Sequence, residues 1–546
     1  MPRKFLSAVA LLGAMLAVLS VAPRSSAQPL PRPAASVAEV YDYLRRGQAL
    51  EVERRWGEAV AYYEEALRQF PDDGSLKHHF DLARLHCDVA RRYADRSFRQ
   101  GLGHLSYSSA LEAYGEVLLK IQAHYVDNPR WKDAVTSGTS ALCVALSEPT
   151  FLEANGHAAD ARALKAFRDE LGKLLSARPI ETRNDARDAV VAATALGQQR
   201  LAIPPSATVM EYLCGAASCL DPYSTYLTPD QLAEVYSQIE GNFVGLGIEL
   251  KAQDGGLLIV RVIPNSPAQR GGLRDGDRIV AIDGQATRDL SSDRAANLLQ
   301  GEPGSLVELV LDRPGAATRK AVIRRERVEV PSVDDARIVD AARGLAYMKL
   351  PCFQKTTCRD VEDALWALQR DGMKTLIIDL RGNPGGLLVA AVEVADLFID
   401  RGVIVSTHGR NAYEDFVYSA REVGTWRVPL VVLIDQDSAS AAEIFAGAIR
   451  DHGRGTIVGQ RSFGKGSVQG IFPLAVGNAG LRLTTAKFYS PSGRPYSGSG
   501  VEPHVAVRQV AKPIAAPDGP VPPTPVERDP VLAAAIQVAV HLVAQR

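Results

Sequence analysis

Two short segments of the chain carry the residue types of a hydrolase that activates its nucleophile with an amine. Ser440 follows the apolar run 430–435, which is typical of a buried strand, and stands at the start of a helix predicted over 439–450. Lys465 lies between two glycines further along. A serine hydroxyl needs a neighbouring base, and burial can lower the pKa of a lysine until free amine is available. The pair therefore predicts acyl transfer, with Ser440 as nucleophile and Lys465 as base.

Backbone and side-chain groups that would assist such a reaction also stand near these segments. The N–H of Ala441 falls in the first helical turn, where N–H groups lack helical acceptors and can stabilise an oxyanion. A second donor is expected from Gly385 or Gly386, which follow a neighbouring predicted strand and let backbone approach a substrate closely. Gln469 is placed to accept a hydrogen bond from the amine of Lys465 and to orient it.

Two competing interpretations of the same segments fail. His452 suggests a Ser-His-Asp site, but at ~1.5 Å per residue it lies ~18 Å along the helix from Ser440. The segment 459–466 resembles the phosphate-binding loop GxxxxGK[ST], yet Gly466 stands where that loop needs a hydroxyl. The residues that follow, 468–474, predict a strand rather than the helix the loop requires. We expect no nucleotide, no metal and no other cofactor.

The composition is that of a multidomain globular protein. The 546 residues correspond to about three or four domains. Hydrophobic residues make up 46% and charged residues 23%, which are ordinary proportions. A net charge of −1 gives no attraction for nucleic acid or an anionic membrane. The composition therefore gives no reason to expect nucleic acid as a partner, and it says nothing more about function.

The N-terminus has the pattern of a secretory signal peptide, residues 1–27. Arg3 and Lys4 precede an apolar stretch over 6–22, and the small residues 25–27 provide a cleavage site. Export to the periplasm or cell envelope is expected. Because the apolar stretch is just short of the ~20 residues that span a bilayer, an uncleaved N-terminal anchor is the alternative. The six cysteines of an exported chain could be bridged or remain buried thiols, and their spacing does not decide.

The region after the signal peptide is helical. Apolar residues recur at three- and four-residue intervals across residues 28–205, and 206–240 continue as a helical segment that leads into the catalytic core. One hairpin fits tetratricopeptide spacing, at Gly47, Ala59, Tyr63, Ala66 and Pro71. A single repeat does not bury its own face. A peptide-binding repeat array and an isolated helical hairpin are therefore both open.

Residues 241–330 predict a small β-rich domain. Short β-like runs are divided by glycines, the first over 243–250, and one helix is predicted over 292–299. Basic residues alternate with valines towards the end of the domain, at Arg319, Lys320, Arg324, Arg325 and Arg327. Such alternation is typical of a strand with one face in water. We interpret the cluster as a solvated strand face rather than a binding patch.

Residues 331–509 predict an α/β domain. Predicted strands and helices alternate along it, at 344–348, 360–370, 375–380, 388–398, 430–435 and 439–450. This order is the pattern of a mainly parallel sheet, in which catalytic groups are expected where strands end and helices begin. The remaining residues, 510–546, predict a Pro- and Ala-rich linker and a short apolar helix over 530–543.

Several segments together resemble the carboxyl-terminal processing proteases, the tail-specific serine protease family with a Ser-Lys-Gln site and an inserted PDZ domain. The matching segments are 220–227, 243–248, 379–386, 438–444, 456–469 and 483–494. The resemblance implies a multidomain fold with a helical N-terminal region, a PDZ domain at 241–330 and a crotonase-like α/β serine protease domain at 331–509. It covers residues 110–504, interrupted near 147–205.

By this resemblance Ser440 is the nucleophile, Lys465 the general base and Gln469 the residue that positions the base. The oxyanion donors would be Ala441 and one of two glycines, Gly385 or Gly386. The chain departs from the family pattern at two positions, where Ala442 replaces a serine and His504 replaces an aspartate. Neither departure changes the catalytic assignment.

The resemblance also gives the β-rich domain a function. Its first segment would capture the C-terminal carboxylate of a peptide while the peptide adds as a strand. The residues of that segment are Phe243, Val244, Gly245, Leu246, Gly247 and Ile248.

The expected function is that of an exported serine endopeptidase that cleaves proteins near their C-termini and recognises free, apolar C-terminal tails. The alternative is a peptide-binding scaffold, in which the protease is catalytically retired and the PDZ domain and N-terminal helices do the binding. An acylating probe that labels Ser440 would distinguish the two. Further partners expected are an adaptor protein at the N-terminal helices and a second copy of the chain.

Overall fold

The computed structural model describes residues 37–156, 160–253, 256–288, 298–313, 317–421, 424–507 and 529–544. The predicted signal peptide and the predicted linker lie outside these ranges, as does most of the helix predicted over 292–299. Within the described ranges no helix is long and apolar enough to cross a membrane. All six cysteines are described, and all are free thiols.

Ten helices precede the first strand in the described part of the chain. They are α1 (Val37–Val52), α2 (Trp56–Gln69), α3 (Gly74–Ala94), α4 (Arg96–His104), α5 (Tyr107–His124), α6 (Trp131–Ala145), α7 (Pro149–Ala154), α8 (Ala161–Ser176), α9 (Arg183–Leu201) and α10 (Pro205–Ser218). Asp73, Ser106 and Thr182 cap the N-termini of α3, α5 and α9, which satisfies N–H groups without helical acceptors. The predicted helical N-terminal region is confirmed.

Four of the five residues with tetratricopeptide spacing fall on α1 and α2, which pack together and against α3, and Pro71 lies in the turn between α2 and α3. Ala59, Tyr63 and Ala66 are buried in a small core of these three helices. A Cβ on Gly47 would lie 2.2 Å from the ring of Tyr63, so only glycine lets the two helices come this close. The hairpin therefore has a core of its own, separate from the main helical core.

The main helical core continues into the α/β domain. α10 is buried along nearly its whole length because it packs against α5, α6 and α9. Leu474, Ala479, Leu481 and Leu483, which lie in a strand hairpin near Lys465, belong to the same hydrophobic cluster as these helices. The helical region and the α/β domain are thus packed into one body around this hairpin.

Strand β1 (Thr225–Leu227) and helix α11 (Pro229–Glu240) connect the helices to the β-rich domain. That domain contains β2 (Asn242–Gly245), β3 (Ile248–Gln253), β4 (Gly256–Val262), α12 (Pro267–Arg270), β5 (Arg278–Ile282), β6 (Gln285–Ala286), β7 (Leu306–Asp312), β8 (Arg319–Arg324) and β9 (Glu326–Glu329). The main sheet has the order β3-β4-β5-β7-β8, while β2 pairs only with β9. The predicted β-rich character is confirmed.

Two details of the β-rich domain differ from the sequence predictions. The run predicted as one strand over 243–250 is broken, because Gly247 turns the chain with φ +80°. Arg325 does not face solvent with the rest of the basic cluster. It is buried, and its guanidinium donates to the carbonyls of Leu298, Leu299 and Leu306. The alternation of β8 continues into Arg325: Ala321, Ile323 and Arg325 are buried, whereas Val322 is exposed. Residue type therefore did not indicate which face of this strand is solvated.

The α/β domain contains two sheets. Its elements are β10 (Asp335–Asp340), β11 (Leu345–Lys349), α13 (Thr357–Arg370), β12 (Thr375–Asp379), α14 (Leu388–Asp396), β13 (Gly402–Gly409), a 3₁₀ turn (Ala412–Glu414), β14 (Phe416–Ala420), β15 (Leu430–Ile434), α15 (Ala441–Asp451), β16 (Thr456–Gly459), β17 (Ser467–Pro473), β18 (Gly480–Tyr489), β19 (Val505–Ala506) and α16 (Pro530–Ala544). The first sheet has the order β10-β11-β12-β15-β16-β19 and is parallel except for β10. This confirms the predicted alternation.

The second sheet is antiparallel, with the order β1-β18-β13-β14 and with β17 also paired to β18. Helices α13, α14 and α15 pack on one face of the parallel sheet. Helix α16, predicted over 530–543, packs on the other face through Val531, Leu532, Ala535 and Ala539. The parallel sheet is therefore covered on both sides, and its carboxyl edge holds the candidate site.

Candidate active site

Ser440 lies at the turn between β15 and α15. It is the N-cap residue of α15, with φ +57° and ψ −115°, a conformation that non-glycine residues adopt rarely and only when neighbours hold it. The turn is held from both sides, since Ser438 Oγ donates to Leu380 O at 2.8 Å and Ala439 N donates to Asn383 O at 2.9 Å. These bonds join the turn to the loop that follows β12. The sequence analysis expected Ser440 inside the first helical turn, whereas it is the N-cap residue, one position before the helix begins.

The loop after β12 brings the two candidate glycines to Ser440. A Cβ on Gly385 would lie 2.7 Å from Ser440 Cβ and 3.0 Å from Ala441 N. The N–H of Gly385 is already bonded, to Asn383 Oδ1 at 2.8 Å. The N–H groups of Gly386 and Ala441 have no acceptor among the described residues. The N–H of Ala441, the residue next to Ser440, is therefore a free donor, and so is the N–H of Gly386 in the loop whose Gly385 approaches Ser440.

Lys465 is buried, with 5% of its surface exposed. Its Nζ lies 4.8 Å from the centroid of the Tyr223 ring. Burial, together with the charge of the nearby Arg482, lowers the pKa of Lys465 to about 8, although Glu443 and Asp221 act to raise it. Free amine is therefore available near neutral pH, as the sequence analysis required.

The predicted catalytic side chains are not all hydrogen-bonded to one another in the structure. Within the described residues no hydrogen bond links Ser440 Oγ to Lys465 Nζ, and Gln469 does not contact the amine. The amide of Gln469 instead donates to the carbonyl of Ser467 at 3.1 Å and to its hydroxyl at 2.9 Å. His452 is occupied at the far end of α15, where its Nε2 lies 2.8 Å from Val403 O. The side chains of the nucleophile and the base are thus not hydrogen-bonded to each other in this arrangement, which is common in sites without substrate.

The predicted peptide-binding segment of the β-rich domain forms the turn between β2 and β3. Phe243, Val244 and Gly245 belong to β2, and Ile248 begins β3. The carbonyls of Leu246 and Gly247 accept bonds from Ala268 and Ile263 at 2.9 Å. The N–H groups of Leu246 and Gly247 have no acceptor among the described residues. Two adjacent free donors of this kind can bind a carboxylate.

Known proteins share this arrangement of domains. The models of peptidase family S41 and of a PDZ domain match residues 344–507 and 258–313. A carboxy-terminal-processing protease of Bartonella bacilliformis is 37% identical over 319 residues, which cover 57% of this chain and 72% of that protein. The chain belongs to peptidase family S41.

Other relatives of the S41 chain carry similar names. A carboxyl-terminal-processing protease of Picosynechococcus is 35% identical over 53% of this chain and 70% of that protein. A solved structure, the photosystem II D1 C-terminal processing protease, is 28% identical with a TM-score of 0.39, and covers 73% of this chain and 93% of that one. The family is one of serine peptidases, and the β-rich domain of this S41 peptidase is its PDZ domain.

The S41 site contains one central residue that the sequence analysis did not single out. Glu443 is buried, and its Oε2 accepts the N–H groups of Ser440 and Lys465, each at 2.8 Å. Its Oε1 accepts Ser462 Oγ and Gly464 N, each at 2.6 Å. Burial raises the pKa of Glu443 to about 7, although these four bonds lower it. A serine followed three residues later by glutamate is the signature of a capping box, so the sequence did contain a signal for this residue.

A second missed residue is Tyr223, which lies in the 220–227 segment between α10 and β1. Its carbonyl accepts a bond from Arg482 Nε at 2.9 Å, and its N–H donates to Asp221 Oδ1 at 2.7 Å. These bonds hold the ring over the amine of Lys465. The segment was recognised by its resemblance to the family, but nothing in its residue types indicated a contact with the base.

Proposed function

We propose that this S41 peptidase hydrolyses peptide bonds near protein C-termini through an acyl-enzyme at Ser440. The observation that carries the proposal is the carboxylate of Glu443, which hydrogen-bonds the backbone of both Ser440 and Lys465 and keeps nucleophile and base side by side. Two N–H groups without an acceptor among the described residues support acyl transfer as the reaction class: that of Ala441, next to Ser440, and that of Gly386, in the loop that approaches it.

In the first step Ser440 Oγ attacks the carbonyl carbon of the scissile bond, and its proton passes to the neutral amine of Lys465. The oxyanion that forms is stabilised by the N–H groups of Ala441 and Gly386. Gly386 is the better of the two glycine candidates because the N–H of Gly385 is committed to Asn383. The protonated amine then returns the proton to the leaving nitrogen, and the C–N bond breaks.

A side-chain rotation must precede that step. The amine of Lys465 lies against the Tyr223 ring, so it has to turn towards Ser440 when substrate binds. Gln469 then leaves Ser467 and accepts a hydrogen bond from the amine, which orients its lone pair towards the nucleophile. Water enters after the first product leaves, and Lys465 activates it to hydrolyse the acyl-enzyme.

Substrate selection is assigned to the PDZ domain. The free N–H groups of Leu246 and Gly247 bind the C-terminal carboxylate, and the tail adds as a strand next to β3. A free, apolar C-terminus is the feature that this mode of binding recognises. Residues 1–27 direct the enzyme out of the cytoplasm, to the periplasm or cell envelope.

The test is cleavage of a peptide with a free, apolar C-terminus, followed by mass spectrometry of the fragments. Ser440→Ala and Lys465→Ala are each expected to remove turnover, and an acylating probe should label wild-type Ser440. Lys77→Ala, at an exposed position on α3, serves as the matched lysine control and should cleave as wild type does. Turnover by Lys465→Ala at the wild-type rate would exclude the lysine as base. Cleavage by Ser440→Ala would exclude the acyl-enzyme.

A further inference from the structure

An arginine at the start of the oxyanion loop is held by two different parts of the fold. Arg381 lies two residues after the end of β12, and its Nε and Nη2 donate to both carboxylate oxygens of Asp379 at 2.6–3.1 Å. Its remaining nitrogen, Nη1, lies 2.9 Å and 2.8 Å from the two oxygens of Asp529. Asp529 stands just before α16, 148 positions away in the sequence. The guanidinium thus joins the loop to the C-terminal helix.

The carboxylates on the two sides of Arg381 differ in their surroundings. Asp379 is buried and also accepts the hydroxyl of Tyr347 at 2.8 Å. Asp529 is more exposed, at 27% of its side chain. It has a second task, since its Oδ1 accepts the N–H groups of Val531 and Leu532 at 3.1 and 3.0 Å and so caps α16. The carboxylate of Asp529 therefore both caps the N-terminus of α16 and binds Arg381.

Helix α16 is a firm anchor for this contact. Val531, Leu532, Ala535 and Ala539 are buried against the face of the parallel sheet formed by β11, β12, β15 and β16. The capping carboxylate of Asp529 is consequently held at a defined place beside the carboxyl end of β12. Because guanidinium and carboxylate geometries match, the pair restricts orientation as well as distance.

The residues after Arg381 lead without interruption to the oxyanion donors. Gly382 N donates to Asp435 Oδ1 at 3.0 Å, and Asn383 Nδ2 donates to Leu350 O at 2.8 Å. Asn383 Oδ1 also accepts a hydrogen bond from the N–H of Gly385, the glycine that lies against Ser440 in space. The loop is thus anchored at Arg381, at Gly382 and at Asn383 in turn. Release of the first anchor leaves the donor of Gly386 less well placed.

We propose that Asp529 is a positioning residue for catalysis, which fixes the oxyanion loop through Arg381 and makes the docked helix α16 part of the active-site scaffold. This inference rests on the proposed acyl-enzyme function and deepens it. It predicts that catalysis depends on a residue which touches neither substrate nor Ser440. Loss of the contact should lower kcat and leave KM unchanged, because an oxyanion contact forms only in the transition state.

The test separates the two tasks of Asp529. Asp529→Ser keeps a capping oxygen for α16 but is too short to reach Arg381, so kcat is expected to fall about tenfold with unchanged KM. Asp529→Asn keeps an acceptor for both contacts and is expected to restore most of the activity. Thermal unfolding of both variants should match wild type, since the cap remains.

A capping aspartate elsewhere provides the matched control. Asp73 caps α3 with the same pattern, accepting Ser75 N and Leu76 N at 3.0 and 2.8 Å. Asp73→Ser should therefore leave kcat and KM as in wild type. The inference is overturned if Asp529→Ser retains kcat within about twofold of wild type. The inference is also overturned if kcat of Asp529→Ser falls only as much as the fraction of folded protein does. It is overturned as well if Asp529→Asn has the same low kcat as Asp529→Ser.

Wild type and Ser440→Ala are assayed beside these variants. If wild type fails to cleave the peptide or to react with an acylating probe, the proposed function itself is wrong. If wild type cleaves and Ser440 is labelled, while Asp529→Ser behaves as wild type, only the positioning role is wrong. The rate of probe labelling gives an independent readout, because acylation of Ser440 needs the same oxyanion donors.

Discussion

Ser440 and Lys465 donate their backbone N–H groups to the same carboxylate oxygen, Oε2 of Glu443, each at 2.8 Å. The other oxygen of Glu443 holds Ser462 and Gly464, in the segment that leads to Lys465. One buried side chain on α15 thus determines where the nucleophile stands relative to the base. The helix that carries Ser440 and the loop that carries Lys465 have no other shared acceptor of this kind among the described residues.

Glu443→Gln tests this arrangement. In one orientation the amide NH₂ faces the N–H groups of Ser440 and Lys465, and both lose their acceptor. In the other it faces the N–H of Gly464, which loses its acceptor, and the hydroxyl of Ser462, which can turn to accept. We expect kcat to fall about 100-fold, the scale on which misplaced catalytic donors act. The free energy of unfolding should fall by about 1–6 kcal/mol, since one or two buried donors lose their acceptor and each costs ~1–3 kcal/mol.

Asp185→Asn is the control for this substitution. Asp185 occupies the same capping-box position in α9, on the surface and far from the site. Its replacement should cost less than ~1 kcal/mol and leave kcat unchanged. A Glu443→Gln enzyme with wild-type kcat would show that the shared carboxylate does not position the catalytic pair.

Gly385→Ala should inactivate the enzyme without unfolding it. The added methyl group would lie 2.7 Å from Ser440 Cβ and 2.8 Å from Ala439 O, at φ +106°. Ser440 or the oxyanion loop must move, and a shift of about 1 Å can cost about 100-fold in rate. Peptide cleavage and probe labelling of Ser440 would both report the loss.

Gly382→Ala is the matched substitution in the same loop. Gly382 also has a positive φ, +70°, but a Cβ there meets no atom within 4 Å. It should cost about 1 kcal/mol of backbone strain and preserve most of the activity. If both alanine variants lose activity equally, the close approach of Gly385 to Ser440 is not what matters.

The sequence predicted the α/β alternation and the place of Ser440 because both follow from local rules. Buried parallel strands are continuous apolar runs, as in β15, and a helix begins where such a run ends. The antiparallel sheet that includes β13 and β14 was not predicted. β13 and β14 form a local hairpin, but β1 and β13 reach β18 across long sequence separations, so a short window does not detect how the sheet is assembled.

At the site, too, the sequence analysis could not predict contacts between residues that lie far apart in the chain. The pairing of Asp529 with Arg381 depends on where α16 docks. The ring of Tyr223 reaches Lys465 because β1 pairs with β18, where Arg482 binds the carbonyl of Tyr223. Gln469 is where its spacing predicted, on β17, but its amide binds Ser467. Residue types predicted the chemistry, whereas the partner of each side chain depends on tertiary packing.

A peptide whose C-terminus is amidated should bind more weakly than the same peptide with a free carboxylate. Bonds from Leu246 and Gly247 to a charged acceptor contribute about 1.5–3 kcal/mol, so KM should rise about 10- to 100-fold. The value of kcat should change little, since the carboxylate is bound equally in ground and transition states. Steady-state cleavage of the two peptides measures this directly.

Gly247→Ala should mimic amidation. A Cβ on Gly247 would lie 2.3 Å from Ser266 Cβ, at φ +80°, and would displace the turn that carries the two N–H groups. Gly276→Ala, at φ +87° with no atom within 4 Å, is the control in the same domain and should keep the wild-type KM. An amidated peptide with the same KM as the free acid would contradict carboxylate capture by the PDZ domain.

The pH dependence of kcat/KM should report the base. Only the neutral amine accepts a proton, and burial lowers the pKa of Lys465 to about 8. The rate should therefore rise about tenfold per pH unit below that value and level off above it. An exposed lysine would keep the rate rising towards about pH 10.4. A profile that is flat between pH 7 and 9, measured on protein shown to be folded throughout, would contradict a lysine base.

Removal of the Tyr223 ring, which lies over the amine of Lys465, should shift the pH profile of kcat/KM. Burial is the largest cause of the lowered pKa of Lys465, and the Tyr223 ring, 4.8 Å from Nζ, is part of what excludes water. Tyr223→Ala admits water, so the inflection should shift to higher pH and kcat/KM at pH 7 should fall. Tyr223→Phe keeps the ring and should leave the inflection near pH 8. If Tyr223→Ala titrates at the same pH as Tyr223→Phe, the ring does not tune the base, and its contact with Lys465 is only packing.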